Sequence, residues 1–173
     1  MRTTRLIIAG ALALAGAVQA HDDTSRAKAE TALPPEQRDW GIAGDPRKVR
    51  RTIAVGMSDA MRFAPSHILV HQGETIRFVV RNTGKLNHEF VVGTRHELDE
   101  HAALMAKFPD MEHDEAFMAH VGPGRRGQIV WQFNRAGDFD FACLVSGHYE
   151  AGMRGTIRVI PNSPGDSNGT NPK

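Results

Sequence analysis

Alternating hydrophobic and polar positions run through the middle of the chain and predict short β-strands. In the second half of HILVHQGETIRFVVRN, Ile76, Phe78 and Val80 share one face of a strand. The residues His-Gln-Gly at 71–73 break this stretch into two strands. Similar segments predict further strands: RRTIAVGMSD, HEFVVG, GQIVWQFNRAGDFDFAC (with a turn at 135–137) and RGTIRVI. Short strands joined by Gly-containing turns predict an all-β fold, either a sandwich or a barrel.

One segment departs from the period of two. Residues 95–108, RHELDEHAALMAKF, combine good helix formers with several apolar residues. They lie in a predicted insertion, residues 94–126, between the HEFVVG strand and the strand that ends in Cys143. Insertions of this length usually have a structure or a function of their own, so we expect a helix here.

Both ends of the chain differ from its middle. Residues 1–20 have a basic start, an apolar run and a small-residue end, which predicts a secretory signal peptide cleaved after Ala20. The alternative is an uncleaved anchor, although the apolar run is shorter than the ~20 residues of a membrane span. Residues 21–47 are polar and predict a flexible lead-in, and residues 161–173 predict a disordered tail. One domain remains, at residues 48–160.

Composition narrows the function classes. Loss of the signal peptide lowers Lys+Arg from 21 to 19 against 20 Asp+Glu, a net charge of about −1 with neutral histidines. The chain has no basic domain, so its composition does not indicate nucleic acid as a partner. No later segment is apolar enough to span a bilayer, so we expect no membrane anchor after cleavage. The signal peptide predicts a periplasmic protein, and we expect it to be a monomer.

The single cysteine of an exported chain needs an explanation, because it cannot form an internal disulfide. In GDFDFAC, Cys143 shares a face with Phe139 and Phe141, which places the thiol inside at the end of a strand. His148 and Met153 follow in a loop that contains glycines and can turn back on itself. A thiolate, an imidazole and a thioether could therefore meet at one point.

These donors are soft and favour copper; a blue copper site combines them with a second histidine. The best candidate is His88 in KLNHEFVVG, at the start of a predicted strand. Each residue taken alone has a structural alternative: an inert buried thiol for Cys143, a core side chain for Met153, a polar strand start for His88. The conjunction of the residues, their spacing, the all-β pattern and export predicts copper.

With these motifs, residues 48–160 resemble a cupredoxin of the plastocyanin/azurin class. More narrowly, MRFAPSHILVHQGETIRFVVRN, LNHEFVVGT, the insertion and FACLVSGHYEAGM resemble the periplasmic copper-tolerance cupredoxins of the CopI-like group. The resemblance implies a Greek-key β-sandwich with a type 1 copper bound by His88, Cys143, His148 and Met153. Many cupredoxins have Asn just after the first histidine. Here Asn87 precedes it and Glu89 follows, which leaves open what hydrogen-bonds to the thiolate.

Further imidazole and thioether groups are concentrated in the insertion and predict a second copper site suited to Cu(I). They are His101, Met105, Met111, His113, Met118 and His120. The alternative is that Met105 packs in the core and the histidines are solvated. Cleavage after Ala20 would also expose His21, whose free amine and imidazole can chelate Cu(II).

Two functions are compatible with this site. The first is electron transfer, with His148 near the surface as the port, as in cupredoxins generally, and with a redox protein as partner. The second is copper homeostasis or tolerance, favoured by the narrower resemblance and by the extra His and Met groups, with copper ions and a copper-handling protein as partners. We expect no enzyme activity, because the sequence contains no catalytic constellation and only one cupredoxin unit.

Overall fold

The computed structural model describes residues 35–109, 111 and 113–162. The predicted signal peptide, the first part of the lead-in with His21, and most of the predicted tail lie outside these residues. The described part consists of two β-sheets and one α-helix, so the predicted all-β fold with a helix between the His88 and Cys143 strands is confirmed. No helix in the described residues is long and apolar enough to cross a membrane.

The first sheet has six strands in the spatial order β1-β2-β9-β6-β3-β4. Its central strands are apolar on alternate positions, and β6 pairs in parallel with β3 and antiparallel with β9. The six strands are β1 (Gln37–Arg38), β2 (Gly41–Ala43), β3 (Arg51–Ser58), β4 (Arg62–Ala64), β6 (Thr75–Asn82) and β9 (Arg126–Gln132).

The second sheet has five strands in the order β5-β11-β10-β7-β8. They are β5 (His67–His71), β7 (His88–Gly93), β8 (Met118–Val121), β10 (Gly137–Ala142) and β11 (Arg154–Ile160). All six residues of β7 are buried, because its outer face is covered as well as its inner face. The strand that begins with His88 therefore lies beside the strand that leads to Cys143, since β7 pairs antiparallel with β10.

The main core lies between the two sheets and is rich in phenylalanine. Phe90 of β7 lies 5.2 Å from Phe78 of β6 and 5.1 Å from Phe141 of β10, measured between ring centroids. Phe63 of β4 closes the group at 5.0 Å from Phe141. Cys143 and Met153 belong to this same cluster, so the predicted site is built at one edge of a rigid apolar core.

A smaller core lies on the other face of the second sheet, under helix α1 (Arg95–Lys107). The helix begins with a capping box, in which Thr94 accepts from the Glu97 amide and Glu97 accepts from the Thr94 amide. Its buried face consists of Leu98, Ala102 and Met105, a spacing of one and two turns. The prediction of a helix at residues 95–108 is correct to within one residue.

The structure corrects the sequence analysis at two places. The expectation of a flexible lead-in fails for residues 37–48, which form β1, β2 and a short 3-10 helix at Pro46–Lys48. Trp40 is buried and its carbonyl accepts a hydrogen bond from the Trp131 indole at 3.0 Å. The predicted insertion, 94–126, is also too long, because Met118–Val121 is strand β8 and pairs with β7. Neither feature could be predicted from a pattern, because Trp40 lies in a polar segment and β8 has only four residues.

Candidate metal centre

Cys143 lies directly after β10 and is fully buried. The alternation of Phe139, Phe141 and Cys143 points all three side chains into the main core, as the period of two requires. The Cys143 amide donates to the carbonyl of Met153 at 3.1 Å, so the chain returns to the same point ten residues later.

The loop of residues 144–152 makes this return possible. The His148 amide donates to the Val145 carbonyl at 2.9 Å, and the Met153 amide donates to the His148 carbonyl at 3.0 Å. Gly147 and Gly152 have φ angles of +83° and +88°, the left-handed region that glycine adopts without steric cost. Met153 is fully buried in the main core, while His148 stays half-exposed.

His88 is the first residue of β7 and is buried. Its Nε2 lies 3.2 Å from Oδ1 of Asp59, whose carboxylate also accepts the amide hydrogens of Lys85 and Leu86 at 2.7 and 3.2 Å. A carboxylate can only accept, so the ring carries its proton on Nε2 and presents the lone pair of Nδ1 toward Cys143. Asp59 therefore orients the ring in the way that carboxylates orient metal-binding histidines.

Three donor atoms meet between these elements. The Sγ of Cys143 lies 3.3 Å from Nδ1 of His148 and 3.9 Å from Nδ1 of His88, and the three ligand atoms all lie within 4.8 Å of one another. His88, Cys143 and His148 form the one group of three or more His, Cys, Asp or Glu residues with metal-binding geometry in the described part of the chain. A set of one thiolate and two imidazoles beside a buried thioether fits copper, which prefers soft ligands.

The electrostatics of the site favour neutral donors in the metal-free protein. Burial raises the pKa of the Cys143 thiol to about 12, an effect opposed by hydrogen bonds from the Glu89 and Val145 amides and increased by the Glu89 carboxylate. Burial also lowers the pKa of His148, as does repulsion from His88, while Asp59 acts in the opposite direction. A neutral His148 has a free lone pair, whereas the thiol must lose its proton to bind a metal.

The thiolate hydrogen bond left open by Glu89 has a clear donor in the structure. The backbone amide of Glu89 donates to Sγ of Cys143 at 3.3 Å. The donor is a backbone amide, so the departure from the usual Asn leaves this contact in place. The Glu89 side chain instead pairs with His120, whose Nδ1 lies 3.0 Å from Oε1.

The structure divides the donors predicted in the insertion into two groups. Met105 and Met118 are buried in the smaller core, where their side chains pack under α1, so both are corrected to core residues. His101 and His113 lie together, with ring centroids 4.7 Å apart. These two histidines and Met111 line a cavity of about 480 Å³ between α1 and β7.

His101 is the more buried member of this pair. Burial lowers its pKa, and repulsion from His113 and His120 lowers it further. Both ring nitrogens of His120 have oxygen partners, because Nδ1 pairs with Glu89 and Nε2 donates to the His113 carbonyl at 2.9 Å, and His120 does not line the cavity. The six predicted donors therefore reduce to His101, His113 and Met111 around one cavity.

The sequence analysis assigned no role in the site to three residues that support it: Asp59, Glu89 and Tyr149. Asp59 lies 29 residues before His88 and carries no local signal. Glu89 could have been noticed, because a carboxylate inside the apolar run HEFVVG must be paired when that strand is buried. Tyr149 follows His148 and donates its hydroxyl hydrogen to Asp99 of α1, a contact that spans 50 residues.

Comparison with known proteins agrees with this geometry. Residues 51–160 match the model of the family described as copper binding proteins, plastocyanin/azurin family. The chain is 43% identical over 159 residues to the copper-resistant cuproprotein CopI of Rubrivivax gelatinosus, a match that covers 92% of this chain and 96% of that protein. It is 32% identical over 122 residues to CopI of Vibrio cholerae, covering 70% and 72%.

The fold is similar to that of solved auracyanins. The reduced auracyanin of Roseiflexus castenholzii superposes with a TM-score of 0.56 at 22% identity, over 65% of this chain and 99% of that one. Auracyanin B gives the same TM-score at 20% identity, over 72% and 97%. At these sequence identities the likeness shows a shared fold and nothing more.

Proposed function

The chain belongs to the plastocyanin/azurin family of copper-binding proteins, and on that premise we propose that it is an exported type 1 copper protein that serves copper tolerance. The observation that carries the proposal is the meeting of His88, Cys143 and His148 within 4.8 Å. We assign Met153 as the fourth residue that would hold copper, because its backbone is hydrogen-bonded to both Cys143 and His148 and its thioether is buried in the same core as Cys143.

Bound copper would supply a one-electron Cu(I)/Cu(II) couple, and the protein would control it through the ligand set. The ring of His88 is fixed by Asp59, and the sulfur of Cys143 is held by the amide of Glu89. Ligands that are already in place need little rearrangement when the electron arrives or leaves. The buried apolar surroundings keep water from the sulfur, while the half-exposed His148 lets an electron reach the site.

Copper tolerance is favoured over a purely electron-carrying role by two observations. Relatives that match this chain over most of its length carry the name copper-resistant cuproprotein. The cavity lined by His101, His113 and Met111 offers a second set of soft donors outside the type 1 site. We propose that this cavity binds Cu(I) and that the chain exchanges copper with a copper-handling partner.

The second candidate function is a dedicated electron carrier between redox proteins. It is favoured by the exposure of His148 and of Leu86, which is 46% exposed two residues before His88. An apolar side chain near an exposed ligand suits the transient docking of a redox partner. The two functions differ in the number of coppers per chain and in the effect of deleting the protein on growth in copper.

Export into the periplasm is part of the proposal and rests on the pattern of residues 1–20. The mass of the protein recovered from the periplasm should correspond to a chain that begins at His21. A mature form that retains residues 1–20 would instead support an anchor.

The test of the metal site is the colour of the copper protein. The purified chain loaded with Cu(II) should show an intense sulfur-to-copper charge-transfer band, blue or green. Cys143→Ser should abolish that band, because the band needs a thiolate, and His88→Ala should lose the type 1 spectrum. His71→Ala, at the opposite end of the sandwich beside Ile160, is the matched control and should keep the colour. A coloured Cys143→Ser protein would refute the assignment.

A further inference from the structure

The pair formed by Glu89 and His120 lies between the proposed copper thiolate and the surface. Glu89 is buried at 7% exposure, which is unusual for a carboxylate. Its Oε1 lies 3.0 Å from Nδ1 of His120, and the His120 Nε2 donates to the His113 carbonyl at 2.9 Å. Both ring nitrogens thus lie within hydrogen-bond distance of oxygen acceptors.

The pair links two neighbouring strands beside the proposed copper ligands. Glu89 and His120 are directly opposite each other in the antiparallel pairing of β7 and β8. The Glu89 amide points away from β8 and donates to Sγ of Cys143. Side chains directly opposite each other in an antiparallel pair approach closely enough to interact. The link between the side chains of Glu89 and His120 therefore fixes the residue whose amide contacts the sulfur.

The charge of the pair also reaches the sulfur. The Glu89 carboxylate belongs to the residue whose amide contacts the sulfur, so its negative charge opposes the negative charge of a thiolate there. His120 offsets that charge by donating a hydrogen bond to the carboxylate from the side of β8. Losing the balance would favour the more positive copper state, Cu(II), and removing the carboxylate charge would favour Cu(I).

We infer that Glu89 is a positioning residue for the copper site and that His120, by pairing with it, sets the reduction potential of the copper. This inference rests on the proposed type 1 site. The Glu89 amide donates to the thiolate and withdraws electron density from it, which favours Cu(I). His120 holds that amide in place through the carboxylate and offsets the carboxylate charge with a hydrogen bond. Loss of His120 weakens both effects in the same direction.

The experiment measures the midpoint potential of the copper-loaded protein by titration against redox dyes. His120→Leu should shift the equilibrium toward Cu(II) by threefold or more, about 28 mV at 59 mV per tenfold change. Glu89→Gln keeps the shape of the side chain and removes its charge, so it should shift the equilibrium toward Cu(I) by threefold or more. Opposite signs from two neighbouring positions are not expected from general damage to the fold.

Two further variants keep the test decisive. His71→Leu changes another strand histidine, at the far end of β5, and should leave the potential unchanged. If His120→Leu does not retain copper, His120→Phe, which keeps an aromatic ring but removes the hydrogen-bond donor, replaces it with the same expected direction. Shifts of the same sign, or a shift below threefold in either variant, overturn the inference. An unsubstituted protein without the charge-transfer band would instead refute the proposed function.

Discussion

The hydroxyl of Tyr149 donates a hydrogen bond to the carboxylate of Asp99, which joins the loop that carries His148 to helix α1. Tyr149 is buried in the smaller core with Met105, and the guanidinium of Arg154 lies 4.7 Å from its ring centroid. The helix is therefore attached to the chain segment next to a proposed copper ligand. This attachment gives the insertion a structural role at the metal centre as well as a cavity of its own.

The Tyr149–Asp99 bond should be measurable as a coupling energy. Tyr149→Phe should destabilise the metal-free protein by about 1.5 kcal/mol, because it removes a partly buried hydrogen bond to a charged acceptor. Urea unfolding of Tyr149→Phe, Asp99→Asn and the double variant would give the coupling, expected near 1 kcal/mol. Additive losses would mean that the two residues stabilise the fold independently.

Replacement of Met153, the fourth proposed ligand, should change the potential without removing the colour. Met153→Leu conserves volume in a fully buried site, so its cost in stability should stay below about 1.5 kcal/mol. Loss of the thioether donor should favour Cu(I) and raise the reduction potential, because a weak thioether ligand tunes that potential. Met57→Leu makes the same chemical change at another buried position and should leave the potential unaltered. Equal potentials in the two variants would remove Met153 from the ligand set.

Copper binding should release a proton from the thiol. The pKa of Cys143 is raised to about 12 by burial, so the metal-free site holds a thiol across the neutral range. At pH 8, where ordinary histidines are neutral, Cu(II) uptake should release about one proton per copper. The contribution of this group to copper affinity should rise about tenfold per pH unit below pH 12.

The pKa of His148 is shifted in the opposite direction to that of Cys143. Its pKa is lowered, mainly by burial, so the ring stays neutral to a lower pH than an ordinary histidine and competes less with the metal for its lone pair. Copper loss through His148 is therefore expected only below the usual titration range of histidine.

The protons released on copper binding can be counted with a pH indicator in weak buffer, which checks the prediction for the Cys143 thiol. A value near zero at pH 8 would mean that the metal-free site already contains a thiolate.

The proposed second copper site should depend on the two adjacent histidines and not on the buried methionines. His101→Ala with His113→Ala should lower the Cu(I) bound per chain by about one equivalent and reduce growth in high copper. The charge-transfer band should survive, because neither residue belongs to the type 1 ligand set. The matched control is Met105→Leu with Met118→Leu, which removes two thioethers from the smaller core. An unchanged copper count in the histidine variant would favour the electron-carrier function.

Much of the fold was predictable from local patterns. The strand GDFDFAC has a strict period of two, and that period decides which side chains point inward whatever sheet the strand joins. The helix of residues 95–107 was predictable because it has a capping box and good helix formers within one segment. Strand β8 was missed, since four residues give too short a pattern, and so was the anchoring of Trp40.

The sequence by itself determined the chemistry of the site. One cysteine, followed by a histidine and a methionine at equal spacing across a glycine-containing loop, specifies soft donors close together, because a short loop limits how far apart they can lie. Only the tertiary structure decided which distant residues complete the site. Asp59 meets His88, and Glu89 meets both Cys143 and His120, through the pairing of strands and loops that are far apart in the chain.

The tertiary structure was also decisive in the insertion, where composition showed six soft side chains. Burial under α1 made Met105 and Met118 part of the core, while His101 and His113 were left beside a cavity, because burial depends on which surface covers each residue and not on its type.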